Sequence, residues 1–211
     1  NEQIRSRGRK NFSLAHEIAH SCFVDRDGAQ YYARTRLRDR YYRDAESRSL
    51  ERLCDIGASE LIMPRDWFCA ALDRRGLAAA SIPELARDFD VSLEAAALRT
   101  VEVSQTPCAV VFVERREEAP RAPAQFPLRG AQARIRRVFA PELLRVGLRT
   151  GSRVAEESIL HRAIGGPGAC EGVERFPVGG RSIALRVSGC GDPSTDGGRS
   201  PTVGIAILTP D

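Results

Sequence analysis

Two histidines four residues apart flank a glutamate in Leu14-Ala15-His16-Glu17-Ile18-Ala19-His20. On a helix this spacing puts both imidazoles on one face, one turn apart, where they can bind one zinc ion. Glu17, beside the first histidine, is placed to act as general base toward a water that the metal acidifies. The chain has three histidines and this heptapeptide holds two of them. The competing reading is a surface helix whose histidines merely cap or pair.

A catalytic zinc needs three protein ligands and an open position, so a third donor must come from elsewhere. In the stretch Asp44 to Pro64, Leu50, Leu53, Gly57 and Leu61 recur at three- and four-residue steps, which predicts an amphipathic helix that Pro64 helps to end. Glu51 and Asp55 are one turn apart and project together. Glu60 lies roughly half a revolution away at about 100° per residue. Glu51 is therefore taken as the third ligand. Asp55 falls where a carboxylate can accept the spare imidazole N–H of a ligand histidine and fix its tautomer. Without the upstream motif, the pair reads as a solvated acidic stripe.

The phrases Asn11-Phe-Ser-Leu-Ala-His-Glu-Ile-Ala-His20 and Glu51-Arg-Leu-Cys-Asp-Ile-Gly-Ala-Ser-Glu-Leu-Ile-Met-Pro64 together resemble the ImmA/IrrE zinc metallopeptidases. In that family a His-Glu-x-x-His helix is completed by a glutamate on the next helix, which closes in a Leu-x-Met-Pro signature. The resemblance is strongest over residues 11–64. It implies His16, His20 and Glu51 as ligands of one zinc per chain and Glu17 as the catalytic glutamate. It also implies strands and a helix ahead of Asn1. As substrate it implies a transcriptional repressor with a helix-turn-helix domain, whose cleavage switches on stress-response, mobile-element or phage-defence genes. The position of Asp55 is usually asparagine in the family, which bears on its supporting role and not on the ligand set.

The elements around these helices have their own signals. Between them, Tyr31, Tyr32, Arg34, Arg36, Arg38, Arg40, Tyr41, Tyr42 and Arg43 gather all four tyrosines of the protein with five arginines. Arginine planes and aromatic faces can grip single-stranded nucleic acid, so single-stranded DNA is a candidate activator. A substrate-binding flap and a plain solvated loop are the other readings. Trp67 to Leu72 reads as a packed helix. Ser81-Ile-Pro-Glu84 has the form of a capping box, opening a helix through Phe89. Asp90-Val91-Ser92 is a turn before a helix through about Val103, giving helix-turn-helix spacing. Its candidate reading helix offers Arg99 among alanines, whereas base readers favour Arg, Lys, Asn or Gln near the helix start. It is therefore read as a packing or partner-docking element.

After Pro107 the pattern turns to strands at 109–113, 133–139, 181–187 and 203–208, with a helix from Val154 to Ile164 and mobile loops at 117–125 and 191–200. Mixed strands with one or two helices fit the GAF-like sensor domain that the resemblance implies. His161, on the 154–164 helix, is a packing or capping residue or else a substrate contact. Cys108 is a buried strand thiol or a latch that fills the open zinc position.

The 211 residues suffice for a real core, and no apolar run approaches the length of a membrane span. No secretory leader is evident. None of the six cysteines forms a Cys-x-x-Cys pair, and Cys22, Cys54 and Cys69 sit in apolar helical pattern, which points to buried thiols in a reducing compartment. The net charge of +4 is mild, and Lys10 is the one lysine beside 31 arginines. The expectation is a cytoplasmic α+β protein without membrane partners. It has a mainly helical zincin-like core at 1–75, a helix-turn-helix-like segment at 76–105, and a GAF-like mixed α/β sensor domain at 106–211. The alternative is a non-catalytic regulator, binding nucleic acid or sensing a ligand, with a structural metal. Glu17 argues against it, because a structural zinc helix needs no carboxylate between its histidines.

Overall fold

The structure, a computed structural model, describes residues 7–23, 45–116, 132–144, 146–164, 168–191 and 203–211. The Tyr/Arg stretch (Tyr31, Tyr32, Arg34, Arg36, Arg38, Arg40, Tyr41, Tyr42), the 117–125 loop and all but the first residue of the 191–200 loop lie outside them. Contacts divide the chain into two compact units, residues 1–68 with 86–92 and residues 69–85 with 93–211. The sequence-based segments at 1–75, 76–105 and 106–211 partition the chain differently. Among the described residues no helix is long and apolar enough to cross a membrane.

The first unit is built on two helices, α1 (Arg7–Ser21) and α2 (Ala45–Ile62). Ala19, Leu50 and Cys54 form a buried cluster with Phe23 packed against it. Of the apolar positions expected to face inward on α2, Leu50 does so, while Leu53 (48%) and Leu61 (54%) are exposed. The buried seam runs through Leu50, Cys54 and Ala58 instead, at four-residue steps. Gly57 completes it: a Cβ there would stand 3.1 Å from Ala19 Cβ, so the helices approach closely at this point. Glu60 turns back to accept the Arg65 amide (3.2 Å), which ties the end of α2 to the start of α3 (Arg65–Arg75). Two contacts fix α1 at its start. Gly8 lies against the backbone of Val91 and Ser92, where a Cβ would come within 2.9 Å, and Asn11 Nδ2 donates to Asp90 Oδ2 (3.2 Å).

Helix α3 stops at Gly76, whose φ of 78° suits the left-handed residue after a helix and whose amide donates to the Leu72 carbonyl. Phe68, Ala71 and Leu72 are buried, whereas Trp67 is 70% exposed. The capping box expected at Ser81 and Glu84 does not form. Helix α4 (Ser81–Asp88) already includes Ser81, whose hydroxyl donates back to the Gly76 carbonyl (2.8 Å), while Glu84 pairs with Arg75 (3.0 Å). Both residues fasten the α3–α4 connection.

Helix α5 (Leu93–Val103) belongs to the second unit with a five-stranded antiparallel sheet. The strands are β1 (Ala109–Arg116), β2 (Gln132–Phe139), β3 (Cys170–Val178), β4 (Arg181–Gly191) and β5 (Val203–Pro210), in spatial order β2-β1-β5-β4-β3. One face carries the main core, including Val111, Ile135, Phe176, Val187 and Leu208, covered by Ile159, Leu160 and Ile164. Strand β3 has no counterpart in the sequence-based reading. The helix expected over 154–164 is one turn, α6 (Ile159–Arg162). Ser158 caps it by accepting from Leu160, Glu174 on β3 accepts the Ile159 amide (3.0 Å), and Val154 instead bonds to Ala133 of β2. Glycines 189 and 204 let α6 sit this close, because a Cβ at either would come within 2.9 Å of Ala163.

Candidate metal centre

His16 and His20 project from the same side of α1, ring centroids 4.8 Å apart at 74°. Their Nε2 atoms face each other at 3.1 Å. Glu51, reaching across from α2, places Oε2 3.3 Å from His16 Nε2 and Oε1 3.7 Å from His20 Nε2. One donor atom from each of the three residues lies within 4.8 Å of the others. A tetrahedral zinc with bonds of about 2.0–2.2 Å has ligand–ligand edges of about 3.3–3.5 Å, so the set is already close to that spacing. The donor chemistry fits as well: two imidazole nitrogens and one carboxylate this close together need a cation or shared protons between them.

The far sides of the rings support this orientation. His16 Nδ1 lies 3.0 Å from Asp55 Oδ1. The approach is oblique, however, and this buried Nδ1 has no hydrogen-bond partner of good geometry. A small rotation of the exposed Asp55 carboxylate would satisfy it. His20 Nδ1 lies 3.3 Å from Sγ of Cys54, which is fully buried. Burial pushes the Cys54 thiol up, and the Glu51 and Asp55 carboxylates add to the effect. An Nδ1–H on each ring, facing Asp55 and Cys54, leaves each Nε2 lone pair for a metal.

Of the five residues expected on the motif and its partner helix, the structure brings His16, His20 and Glu51 together and sets Asp55 beside His16. Glu17 is exposed on α1 and stands outside the donor group. The contact of Cys54 with His20 and the Ala19–Gly57 approach are absent from the sequence-based reading. Cys54 shares the Glu51 face of α2 at three residues' distance, a spacing that carries its signal. Cys22, expected to be buried, is exposed, and Cys69 is partly buried. Cys22 follows the last residue of α1, in a turn where its amide donates to the Ala19 carbonyl.

The remaining candidates sit in the second unit. His161 is half-buried on α6. Cys108 is fully buried just before β1, its thiol pushed up by burial and partly drawn back by a hydrogen bond with Ser104. The three-donor group includes neither residue. Arg99, the one arginine of the candidate reading helix, is 4% exposed and pairs with Glu102 (3.4 Å), so it is not presented to a partner.

Comparison with known proteins points the same way. Residues 1–101 match the family described as the IrrE N-terminal-like domain, Peptidase_M78. Similar proteins are the radiation response metalloproteases IrrE of Deinococcus deserti, 34% identical over 120 residues, and of Deinococcus radiodurans, 30% identical over 104 residues. These alignments take in 56% and 49% of this chain but 41% and 30% of the relatives, so the chain spans less than half the length of either. A solved Mycobacterium tuberculosis transcriptional regulator aligns over 99% of this chain and 58% of its own, at 14% identity and a TM-score of 0.45, a likeness too loose to carry an argument. The His-Glu-x-x-His helix and its glutamate partner both lie within the matched residues 1–101, the part of the chain that is similar to the IrrE N-terminal-like domain.

Proposed function

We propose that this chain is a zinc-dependent endopeptidase acting on a transcriptional repressor with a helix-turn-helix domain. The observation that carries the reading is the close grouping of His16 Nε2, His20 Nε2 and the Glu51 carboxylate, with Glu17 next to His16 in the chain. His16, His20 and Glu51 hold the metal, and Asp55 and Cys54 orient the two imidazoles. Zinc, when bound, supplies the Lewis acidity that polarises a scissile carbonyl and acidifies water. Glu17 takes the proton of the attacking water and returns it to the leaving amine. Its place on α1, next to His16 and exposed, suits that task. The substrate presents extended backbone, so a flexible interdomain or terminal segment of the repressor is cut in preference to its folded core.

In the same reading the protein works in the cytoplasm, and its second unit is a GAF-like sensor that couples a signal to cleavage. The antiparallel sheet with α6 on one face supports a separate regulatory fold. Elemental analysis of purified protein tests the metal, and cleavage assays against helix-turn-helix repressors of the source genome test the reaction. The expected result is one zinc per chain, lost in Glu51→Ala. Glu17→Gln should keep its zinc and lose cleavage by a factor of about 10²–10⁴. Zinc retained in Glu51→Ala overturns the ligand set; cleavage retained in Glu17→Gln overturns the mechanism.

A further inference from the structure

The two edges of the sheet are treated differently. Along the outer side of β2, residues 151–154 form a capping segment: Ile135 and Ser152, Gly151 and Ile135, and Val154 and Ala133 share backbone hydrogen bonds. At the opposite edge, the described residues cover β3 at its end, where Val146 bridges Val178 and the Gly147 amide donates to the Pro177 carbonyl. Among the described residues nothing pairs with β3 between Cys170 and Phe176 on that side.

Which groups this edge offers follows from the hairpin. Val178 and Arg181 close a two-residue turn through Gly179 and Gly180, both at positive φ (56° and 81°), as a type I′ hairpin requires. The closing pair is hydrogen-bonded, so the even-numbered residues of β3 direct N–H and C=O toward β4. The odd-numbered ones direct theirs outward, which the outward-facing Pro177 carbonyl independently bears out. Glu171, Val173 and Arg175 therefore carry the open amides and carbonyls. Their side chains share the face opposite α6 and are all exposed, Val173 at 54%.

This three-residue edge is complementary to itself. We propose that it pairs antiparallel with the same edge of a second copy of this chain, on a two-fold axis at Val173, to form a continuous ten-stranded sheet. In that register Val173 meets Val173 of the second copy, and Glu171 meets Arg175 twice. Each pair exchanges both backbone hydrogen bonds. Arg175 is held over its own sheet by Nε and Nη2 bonds to Ser182 (3.2 and 2.6 Å), which leaves Nη1 for the incoming carboxylate. Edges that avoid such pairing carry charged side chains, proline, bulges or covering segments; Pro177 lies outside the three paired residues. Here the charges are opposite and placed symmetrically about the apolar residue, and no register shift interrupts β3 against β4. A two-fold contact needs this self-complementary arrangement.

Sedimentation equilibrium of the full chain tests the pairing and does not depend on the peptidase reading. The wild type is expected to form a reversible dimer. Glu171→Arg and Arg175→Glu each set like charges opposite one another twice and should weaken the dimer roughly tenfold or more. The double exchange, Glu171→Arg with Arg175→Glu, should restore it. A second measurement is independent of charge. In a Cys22→Ser background, Val173→Cys should form a disulfide-linked dimer under mild oxidation, since hydrogen-bonded antiparallel pairs have Cα atoms about 5.5 Å apart. A wild type that stays monomeric, single reversals without effect, a double exchange that fails to rescue, or a Val173→Cys that does not cross-link would each overturn the proposal.

Discussion

Replacing Gly57 by valine should loosen zinc without unfolding the protein, because this glycine sets the distance between the two helices that share the donor group. A Cβ at position 57 would stand 3.1 Å from the Cβ of Ala19, the residue next to His20. Carbon atoms in comfortable contact stay about 3.5–4.0 Å apart. Alanine thus asks the helices to part by a few tenths of an ångström, and the two further methyls of valine ask for more. Metal–ligand distances tolerate about 0.2 Å. The His16–Glu51 and His20–Glu51 separations of 3.3 and 3.7 Å cross this interface, whereas the His16–His20 separation of 3.1 Å lies within α1. Parting the helices therefore withdraws Glu51 from a histidine pair that stays intact. In Gly57→Ala, the roughly 1 kcal/mol gained in helix propensity offsets the crowding, and metal affinity should fall by a few-fold. In Gly57→Val, overpacking costs about 1–3 kcal/mol, and affinity should fall tenfold or more. Chelator competition gives the zinc affinity, and thermal unfolding of the metal-free proteins gives the stability. A folded Gly57→Val that binds zinc as tightly as wild type would refute the argument that helix separation governs the site.

Two further outcomes follow from the surroundings of the donors and from the buried thiols. Asp55→Ala removes the carboxylate 3.0 Å from His16 Nδ1 and should weaken zinc binding about 10–100-fold. Asp55→Asn keeps an acceptor oxygen and should bind nearly as the wild type, both measured by chelator competition. Burial pushes the Cys108 thiol up, so the folded state holds its proton after the unfolded chain has lost it. No cost arises below the ordinary thiol value of 9.0, and stability falls as pH rises past it. Denaturant unfolding between neutral and alkaline pH should show wild type losing up to about 1.4 kcal/mol per pH unit relative to Cys108→Ala; parallel curves would contradict a desolvated thiol.

Much of the site was legible because metal chemistry imposes spacing. His16 and His20 at i and i+4, and Glu51 with Asp55 on the next helix, are constraints that a chain carries in one dimension. Four of the five strands were legible for a similar reason: Ala109-Val-Val-Phe-Val113 and its counterparts are dense in branched residues. Strand β3 was not. Glu171, Gly172, Glu174 and Pro177 all depress strand propensity, and an edge strand needs only one partner to tolerate them. The Gly179-Gly180 pair between Val178 and Arg181 was the available signal, since it marks a two-residue hairpin. The long helix expected from Val154 failed because its first residues found partners elsewhere, Val154 on β2 and the Ser158–Glu174 pair at the cap.

Packing faces were the least legible feature. Leucine spacing nominated Leu53 and Leu61 for the interior of α2, yet small residues line the contact: Ala19 opposite Gly57, with Cys54 and Ala58 beside it. Side-chain size says little by itself about which face another helix approaches. By itself, then, the sequence determined the candidate donor types, their helical phase, the place of Glu17 between the two histidines and the alternation from helices to strands, since each is a local property of residue identity and period. Only the tertiary structure decided that Glu51 reaches the histidines, that Cys54 backs His20, that Arg99 is buried, and that among the described residues one sheet edge is covered while most of the other is not. Those are distances between residues far apart in the chain, and they are set by which surfaces exclude water together.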